Sequence, residues 1–424
     1  MIARNCPSYR VFAGGLLLWL ACFTSARGVE NWTEFRGPQG DGQAPGSQLP
    51  VEFSETSHLR WKTPIHGRGW SSPVVWGDQI WLTTATEDGR QMSAVCVNRQ
   101  NGEIEVDRVL FENAEPAFCH PTNSYASPTP AIEAGRVYVH FGSYGTACLD
   151  TQGNVLWQRR DLPCDHFRGP ASSPILYDGK LFVAFDGFDL QYVVALDKET
   201  GQTVWRADRN IDYQSDDGDV KKAYCTCQII EHDGQVQLIS PSAAETIAYD
   251  PSNGDVLWRV HHGGMNTATR PVYADGLVFI TVGDGVGEVK PTLLAVRPDR
   301  AEKLNGQPRI AWSTSATPPK RPSPLVVGSL LFTINDDGVA MCLEATTGDV
   351  VWRKRIAGNY RASPICANGK IYFASLEGEV TVIEAAREFK QLASNRLDNG
   401  FQSSPAVQGN SLYLRSIHDL YCFE

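Results

Sequence analysis

Apolar and polar positions alternate along most of this chain in short runs. In the runs 137–141 and 181–185, every second residue is a large aliphatic or aromatic one. A period of two residues is typical of half-buried β-strands. Gly with Asp or Asn supplies tight turns between such runs, as at Asp178-Gly179 and Asn368-Gly369. Because no capped helical stretch stands out after residue 28, the pattern predicts an all-β protein.

The same phrase recurs at intervals of roughly 40–50 residues. Each copy opens with Ser-Pro or a variant, here called the anchor, and then has an apolar run, a turn and a second apolar run. The anchors are Ser72-Pro73, Ser127-Pro128, Ser173-Pro174, Arg270-Pro271, Ser323-Pro324, Ser363-Pro364 and Ser404-Pro405. The 97 residues between Pro174 and Pro271 hold two copies, with Cys227-Gln228 at the missing anchor. Eight such copies predict an eight-bladed β-propeller.

Most copies close with a Gly and, four residues later, a Trp. The clear pairs are Gly153 with Trp157, Gly201 with Trp205, Gly254 with Trp258, and Gly348 with Trp352. The last copy ends at Glu424 before any Trp, whereas Trp61 stands unpaired near the other end. We therefore expect the strand near Trp61 to complete the last blade. Closing the ring in this way removes an open sheet edge, and it places the propeller at residues 59–424.

Residues 1–28 have the features of a secretory signal peptide. Two arginines precede the apolar run 11–23, and Ala26-Arg27-Gly28 is a fair cleavage site. The run is too short for a stable membrane span. Cys22 offers a lipid anchor, but the residues before it fit a lipidation signal poorly. We expect an exported protein, periplasmic or extracellular, without a transmembrane segment in the mature chain and with residues 29–58 leading into the propeller.

Charge and cysteine content narrow the function classes. The net charge of −10 argues against a nucleic-acid partner, which would require a basic face. Four cysteines occupy the small-residue position of the predicted third strand and should be packed thiols. These are Cys96, Cys148, Cys342 and Cys422. Cys119 and Cys164 lie in loops leading into neighbouring blades and are the first pair to test for a disulfide.

Residues 196–205, with the sequence LDKETGQTVW, closely resemble the pyrroloquinoline-quinone (PQQ)-type propeller repeat. That repeat occurs in quinoprotein alcohol dehydrogenases, in the outer-membrane assembly lipoprotein BamB, and in bacterial sensor or scaffold domains. The motifs Phe35-Arg36-Gly37-Pro38 and Trp70-Ser71-Ser72-Pro73 resemble a secreted bacterial subgroup described as BamB-like. The resemblance covers the mature chain and implies the fold, whereas function has to be argued from the site.

The loops that enter the blades should cross one face near the propeller axis and carry any site. Their arginines suit planar anions, and their aromatic faces suit sugar or quinone rings. The candidate ligand-binding residues are Arg68, Trp70, His120, Asn123, Tyr125, Asp165, His166, Arg168, Lys222, Tyr224, Asn266, Arg321, Tyr360 and Arg361. The alternative is that these side chains only join neighbouring blades.

The resemblance implies a test for dehydrogenase activity. Quinoprotein dehydrogenases stack PQQ, held with calcium, between a Trp and a disulfide of two adjacent cysteines. This chain has no such dipeptide, and Cys225-Thr226-Cys227 is not equivalent because residues two apart lie on the same strand face. The sequence therefore favours a non-catalytic binding or scaffold propeller of the cell envelope, without PQQ, calcium or another cofactor.

We expect this propeller to be a monomer, and its partner to be an envelope protein, a peptide, or a small anionic or saccharide ligand. A quinoprotein-type dehydrogenase is one alternative. A polysaccharide-acting enzyme with His120, His166 and Tyr224 as acid and base groups is another. Two patterns suggest metals, namely the zinc-like pair Cys119-His120 and Cys164-Asp165-His166 and the acidic run 212–219. Neither has the spacing of a known metal motif, so we predict no metal site.

Overall fold

The computed structural model describes residues 1–2, 31–304 and 306–424. It shows eight sheets arranged as the blades of a propeller, each with four antiparallel strands, and a short fifth strand is added in parallel to one of them. Apart from Met1 and Ile2, the predicted signal peptide at 1–28 lies outside the described residues, as does Cys22. No helix among the described residues is both long and apolar enough to cross a membrane.

Blades 1 to 7 each run from an inner strand to an outer strand in chain order. Two strands precede the first blade, β1 (Gln43–Ala44) and β2 (Leu59–Pro64). Blade 1 holds β3 (Val74–Trp76), β4 (Gln79–Ala85), β5 (Gln91–Asn98) and β6 (Ile104–Glu112). Blade 2 holds β7 (Ala131–Glu133), β8 (Arg136–His140), β9 (Thr146–Asp150) and β10 (Val155–Arg159). Blade 3 holds β11 (Ile175–Tyr177), β12 (Lys180–Asp186), β13 (Gln191–Asp197) and β14 (Thr203–Asp208). Blade 4 holds β15 (Gln228–His232), β16 (Gln235–Pro241), β17 (Glu245–Tyr249) and β18 (Val256–His261).

The second half of the ring repeats this arrangement. Blade 5 holds β19 (Val272–Ala274), β20 (Leu277–Val282), β21 (Thr292–Val296) and β22 (Ile310–Thr314). Blade 6 holds β23 (Leu325–Val327), β24 (Leu330–Ile334), β25 (Val339–Glu344) and β26 (Val350–Arg355). Blade 7 holds β27 (Ile365–Ala367), β28 (Lys370–Ala374), β29 (Glu379–Glu384) and β30 (Gln391–Arg396). Blade 8 holds β31 (Ala406–Gln408), β32 (Ser411–Arg415) and β33 (Asp419–Phe423). Two single-turn 3-10 helices, Gly218–Lys221 and Ala301–Leu304, lie in loops.

The N-terminal strand closes the ring, as the sequence predicts. Strand β2 pairs antiparallel with β33 as the outer strand of blade 8, and Trp61 lies opposite Cys422. The eight-bladed all-β fold is therefore confirmed, and so is the expected position of Trp61.

Each repeated Trp joins two neighbouring blades. Trp157 lies opposite Cys148 across the outer strand pair of blade 2. Its indole N–H donates to the backbone oxygen of Lys198 in blade 3 at 2.9 Å. A Cβ placed on Gly201, also in blade 3, would lie 2.6 Å from the same ring. The small residue opposite the Trp and the Gly in the next blade thus make room for one large apolar ring.

We expect Gly201→Ala to destabilise the protein more than Gly179→Ala. The backbone φ is +72° at Gly201 and +74° at Gly179, so both substitutions carry the same left-handed penalty of ~1–2 kcal/mol. Only at Gly201 would the new methyl group meet the ring of Trp157, because nothing lies within 4 Å of that position at Gly179. Overpacking should add about 1–3 kcal/mol. Urea unfolding of both variants measures the difference, and equal losses would contradict it.

The predicted anchor register is wrong in two blades. Strand β7 begins at Ala131, so Thr129-Pro130 opens blade 2 and Ser127-Pro128 lies in the preceding loop. The run Ser-Pro-Thr-Pro satisfies the repeat pattern twice, and only the strand position distinguishes the two readings. In blade 4, β15 begins at Gln228, so Thr226-Cys227 occupies the anchor in place of Cys227-Gln228.

Residues 32–44, within the predicted lead-in segment, cross the centre of the ring and are here called the plug. Trp32 forms an antiparallel bridge with Val75 of β3. The backbone oxygen of Thr33 accepts from Ile132 of β7 at 2.8 Å. Further along, β1 pairs in parallel with β27 of blade 7. The plug therefore contacts the inner strands of blades 1, 2 and 7.

Two buried arginines hold the plug in place. Arg36 donates to the backbone oxygens of Asp41 and Pro324, each at 2.7 Å, and burial lowers its pKa to about 9. Arg270, from the anchor of blade 5, forms a 2.6 Å ion pair with Glu34 and donates to the backbone oxygen of Phe35. Burial raises the pKa of Glu34 even though Arg270 acts to lower it.

Candidate functional site

A cavity of about 240 Å³ lies at the axis, where the loops entering the blades converge. Its walls come from those loops, and Phe35 of the plug and Asp284 of the β20–β21 hairpin also line it. The lining consists of Phe35, Trp70, Ser72, His120, Thr122, Asn123, Ser127, Thr129, Arg168, Ala171, Ser173, Tyr224, Thr226, Asn266, Ala268, Asp284, Lys320, Arg321, Arg361, Ser363, Gln402 and Ser404.

The anchor hydroxyls form a nearly closed circle of hydrogen bonds around the axis, each accepting from the backbone N–H of the preceding anchor. The bonds join Ser72 to Thr129, Thr129 to Ser173, Ser173 to Thr226, Arg270 to Ser323, Ser323 to Ser363, Ser363 to Ser404, and Ser404 to Ser72, at 2.9–3.0 Å. A hydroxyl that accepts in this way still has its own hydrogen to donate. Six of these hydroxyl residues line the cavity. One of them, Ser363, donates to the hydroxyl of Ser323 at 3.1 Å, so the other five can donate to a ligand.

The circle is interrupted between Thr226 and Arg270, since the anchor of blade 5 has no hydroxyl. The guanidinium of Arg270 turns instead toward the plug and also donates to Gln228 at 2.7 Å. It thereby holds the backbone of Phe35, whose side chain lines the cavity. The anchor that departs from the repeat is thus the one that positions the plug beside the cavity.

The cavity wall is rich in positive charge. Arg168, Lys320, Arg321 and Arg361 line it, whereas Asp284 is the sole carboxylate among the lining residues that the structure describes. Asp284 is already paired with Lys320 at 2.7 Å. Burial acts to raise its pKa, but hydrogen bonds from Lys320 and Asn266 outweigh that effect and lower it.

The other cations differ in how they are compensated. Arg168 pairs with Asp219 at 2.6 Å, and Arg321 pairs with Asp336. Arg361 instead donates to neutral oxygens, the backbone oxygen of Thr122 at 3.0 Å and the side chain of Gln402 at 3.3 Å. Burial and the nearby Arg321 lower its pKa. Within the described residues Arg361 has no carboxylate partner, so its charge remains available to a ligand.

The pKa of His120 is affected by these positive charges. Its pKa lies below the usual value, first because the ring is partly desolvated and then because Arg168, Arg321, Arg361 and Lys222 repel a proton on it. Its Nδ1 lies 2.8 Å from the hydroxyl of Thr122. The ring is therefore neutral at pH 7 and can offer a hydrogen bond to a ligand without adding charge.

Two polar atoms in the wall have no hydrogen-bond partner among the described residues. They are the indole nitrogen of Trp70, a donor, and the side-chain oxygen of Asn266, an acceptor. Both residues line the cavity. A buried polar group without a partner is uncommon in folded proteins, so these atoms mark places where a ligand or water completes the site.

Eight of the fourteen predicted site residues line this cavity. They are Trp70, His120, Asn123, Arg168, Tyr224, Asn266, Arg321 and Arg361. The other six lie outside the lining. A role in ligand binding remains a prediction for the eight lining residues. The six residues outside the lining make other contacts in the structure.

Those other contacts are mostly structural. Arg68 lies over the ring of Trp70 and donates to the backbone oxygen of Pro121. Tyr125 donates to the backbone oxygen of Ala117 at 2.7 Å. Asp165 accepts from the backbone of Phe167 at 2.9 Å.

The remaining three residues outside the lining, His166, Lys222 and Tyr360, have more buried side chains. His166 accepts from the backbone of Ser143 at 3.0 Å, and burial lowers its pKa to about 4. Lys222 is buried against Asp219 at 2.9 Å. Tyr360 is fully buried and donates to the backbone oxygen of Ala357 at 2.6 Å.

Sequence reasoning missed several lining residues. Phe35 belongs to the lead-in segment, for which the sequence predicts no role in a site. Asp284 sits in the run Gly283 to Gly287, which reads as a hairpin connection and is one. The anchor hydroxyls recur in the sequence, and that repeat by itself indicates only the fold.

In the part of the chain that the structure describes, the zinc-like residues do not form a group of three or more potential ligand atoms. Cys119 Sγ lies 3.7 Å from the backbone oxygen of Arg168, whereas Cys164 Sγ lies 3.8 Å from His166 Nδ1. Both cysteines are free thiols, so the suggested Cys119–Cys164 disulfide is not formed. Another group, His232 with Asp233 and Asp299, places three potential ligand atoms within 4.8 Å of one another among the described residues, and none of the three lines the cavity.

The lining residues do not fit a calcium-bound quinone. Calcium takes six to eight oxygen ligands, several of them carboxylates in most sites. Here Asp284 is engaged by Lys320, and four cations share the wall. Cys225 and Cys227 are buried outside the lining, and Cys227 Sγ contacts the hydroxyl of Ser240 at 3.3 Å. The donor set suits an anion and opposes a divalent cation.

Comparison with curated proteins gives modest identities. The outer membrane protein assembly factor BamB of Moranella endobia (strain PCIT) is 22% identical over 249 residues, which is 54% of this chain and 60% of that protein. The BamB of Francisella salina is 29% identical over 119 residues, 28% of this chain and 19% of that protein. The chain therefore spans less than two thirds of either relative.

Solved structures share the fold at low identity. BamB from Moraxella catarrhalis gives a TM-score of 0.60 at 12% identity, over 86% of this chain and 99% of that one. A europium-containing methanol dehydrogenase gives 0.63 at 12%, over 92% and 90%. The family model described as outer membrane protein assembly factor BamB matches residues 46–208 and 189–424. Because these two matches together cover the propeller, the chain belongs to the BamB family.

Proposed function

We propose that this chain is an exported, non-catalytic binding propeller of the bacterial cell envelope whose central cavity receives an anionic group of its partner. One observation carries the proposal. In a protein of net charge −10, four cations and a circle of hydroxyl donors surround one small cavity. Among the described residues, the hydrogen-bond partners of Arg361 are neutral oxygens only. Such a preformed site is suited to a carboxylate or a similar planar anion.

The family supports the envelope setting of this proposal. The relatives bear the name of an outer membrane protein assembly factor. A partner that is an envelope protein or peptide would present Asp, Glu or C-terminal carboxylates to the cavity. The four cations of the lining oppose a bound calcium ion, and this supports a role without quinone chemistry.

We expect Arg361→Gln to weaken the binding of citrate, used as a probe anion, by about 10- to 100-fold, because a charged hydrogen bond contributes ~1.5–3 kcal/mol. Titration calorimetry on the full chain measures this change. Arg353→Gln is the matched control, since Arg353 is exposed on β26 and the substitution alters net charge equally. Equal affinity for citrate in both variants would contradict an anion site at Arg361.

A second measurement addresses catalysis. PQQ and calcium are added to the purified chain, followed by an alcohol and a reducible dye. We expect neither a cofactor absorption band nor dye reduction. Clear reduction of the dye would overturn the non-catalytic part of the proposal.

A further inference from the structure

Three phenylalanines lie exposed and side by side next to the cavity, and they are here called the Phe patch. Phe118, Phe167 and Phe188 are 57%, 40% and 36% exposed. The ring centroids of Phe118 and Phe167 are 5.9 Å apart, and those of Phe167 and Phe188 are 5.3 Å apart. They come from three separate loops of blades 1 to 3. Clustered exposed apolar rings usually mark a binding surface.

The Phe patch is continuous with the cationic cavity. The ring of Phe118 lies 6.5 Å from that of His120, which lines the cavity. Phe167 directly precedes Arg168, another lining residue. The ammonium of Lys222 lies 4.9 Å from the ring centre of Phe167. One ligand can therefore contact both surfaces.

The loop backbone holds the Phe patch in its exposed position. Phe167 has a φ of +51°, a left-handed conformation that is uncommon for a bulky residue. Its N–H donates to the Asp165 carboxylate at 2.9 Å, and the backbone oxygen of Asp165 accepts from Phe188 at 2.7 Å. Strained backbone held by neighbouring contacts is a feature of functional sites.

We propose, building on the anion-binding function proposed above, that the ligand is an extended peptide segment with a carboxylate a few residues from an apolar or aromatic side chain. The carboxylate lies at Arg361, and the apolar side chain lies on the Phe patch. The path from Phe118 passes His120 and reaches Thr122, whose backbone oxygen Arg361 contacts at 3.0 Å. At ~3.3 Å per residue, an extended peptide spans that path with roughly three to five residues.

The geometry of the rings favours a peptide over a saccharide. Adjacent rings are tilted by 52° and 49°. They form an uneven apolar surface without the hydroxyl or indole N–H that Tyr or Trp would offer to a sugar. An apolar side chain can pack among tilted rings through their edges and faces alike.

The test is a selection from random N-acetylated octapeptides by the immobilised full chain, read by mass spectrometry. One peptide pool has free C-terminal carboxylates, and the other has amidated C-termini. We expect enrichment of about fivefold or more for peptides with an apolar residue three to five positions from a carboxylate. Phe118→Ser should abolish this enrichment, and Leu156→Ser, which removes another exposed apolar side chain, 48% exposed on β10, should preserve it.

Each outcome has a defined meaning. Enrichment in the free pool alone assigns a C-terminal carboxylate, and enrichment in both pools assigns an Asp or Glu side chain. The inference is overturned if no such pairs are enriched, if Phe118→Ser has no effect, or if labelled oligogalacturonate binds in a Phe118-dependent way while peptides do not. The citrate titration separates the two failures, because retained citrate binding with no peptide enrichment leaves the anion site standing.

Discussion

Replacing Arg270 by Met should lower the free energy of unfolding by about 3–5 kcal/mol, because it leaves the carboxylate of Glu34 buried without its counterion. The 2.6 Å pair with Glu34 and the 2.7 Å bond to Gln228 are lost together. The pKa of Glu34 is already raised by burial, and it rises further without Arg270. A carboxyl group whose folded-state pKa is raised costs stability above its unfolded pKa, so the loss should be greater at pH 8 than at pH 5.

Urea unfolding of the wild type and the variant at both pH values measures this loss. Arg90→Met is the control, since its pair with Asp88 is exposed and should contribute less than about 1 kcal/mol. Adding Glu34→Leu to Arg270→Met should recover part of the stability by removing the uncompensated charge. A loss for Arg270→Met no greater than that for Arg90→Met would show that the plug does not stabilise the ring.

The fold could be predicted because each blade repeats a local solution to the same packing problem. Trp157 needs a small residue opposite it and a Gly in the next blade, and all three recur at fixed spacing. Two blades lack the Trp: blade 1, where Val106 lies opposite Cys96, and blade 7, which departs further from the pattern. In blade 7, Val382 of β29 lies opposite Ala393 of β30, so the larger residue is on the third strand and the small one is on the outer strand. The exchange explains why the sequence signal is degenerate there while the blade still forms.

The plug could not be predicted in the same way. Its buried contacts join residues more than 200 positions apart, such as Glu34 with Arg270 and Arg36 with Pro324. No local period encodes such pairs. The motif around Phe35 resembles a known subgroup, but its position at the axis depends on contacts with several blades of the assembled ring.

The sequence predicts which loops form the candidate site, but it predicts less well which of their residues line the cavity. Arg168 lines the cavity, whereas His166, two positions earlier, is bonded to Ser143 in a neighbouring turn. The left-handed conformation of Phe167 lies between them and redirects the chain. Side-chain directions in such irregular loops follow individual backbone angles, and composition does not specify those angles.

Acidification from pH 7.5 to pH 5 should destabilise the folded protein through histidines that are buried in the neutral form. Burial lowers the pKa of His140 to about 3, and it lowers those of His166 and His262 to about 4. The unfolded chain takes up these protons near pH 6.5 and the folded chain does not. Stability from these groups is therefore complete above pH 6.5 and falls as the pH drops toward 4. Glu34 and Asp186, whose pKa values are raised by burial, act in the opposite direction.

The contribution of His140 can be separated from these opposing terms. Its Nδ1 lies 2.8 Å from the hydroxyl of Thr146, and its ring packs edge-on against Phe185. A shift of one pKa unit corresponds to ~1.4 kcal/mol, so His140 alone should account for about 2 kcal/mol between pH 6.5 and pH 5. In urea unfolding at pH 7.5 and pH 5, His140→Gln should reduce the pH-dependent loss by that amount, and the exposed His418→Gln should leave it unchanged. Identical pH dependence in the two variants would mean that protons reach His140 in the folded protein.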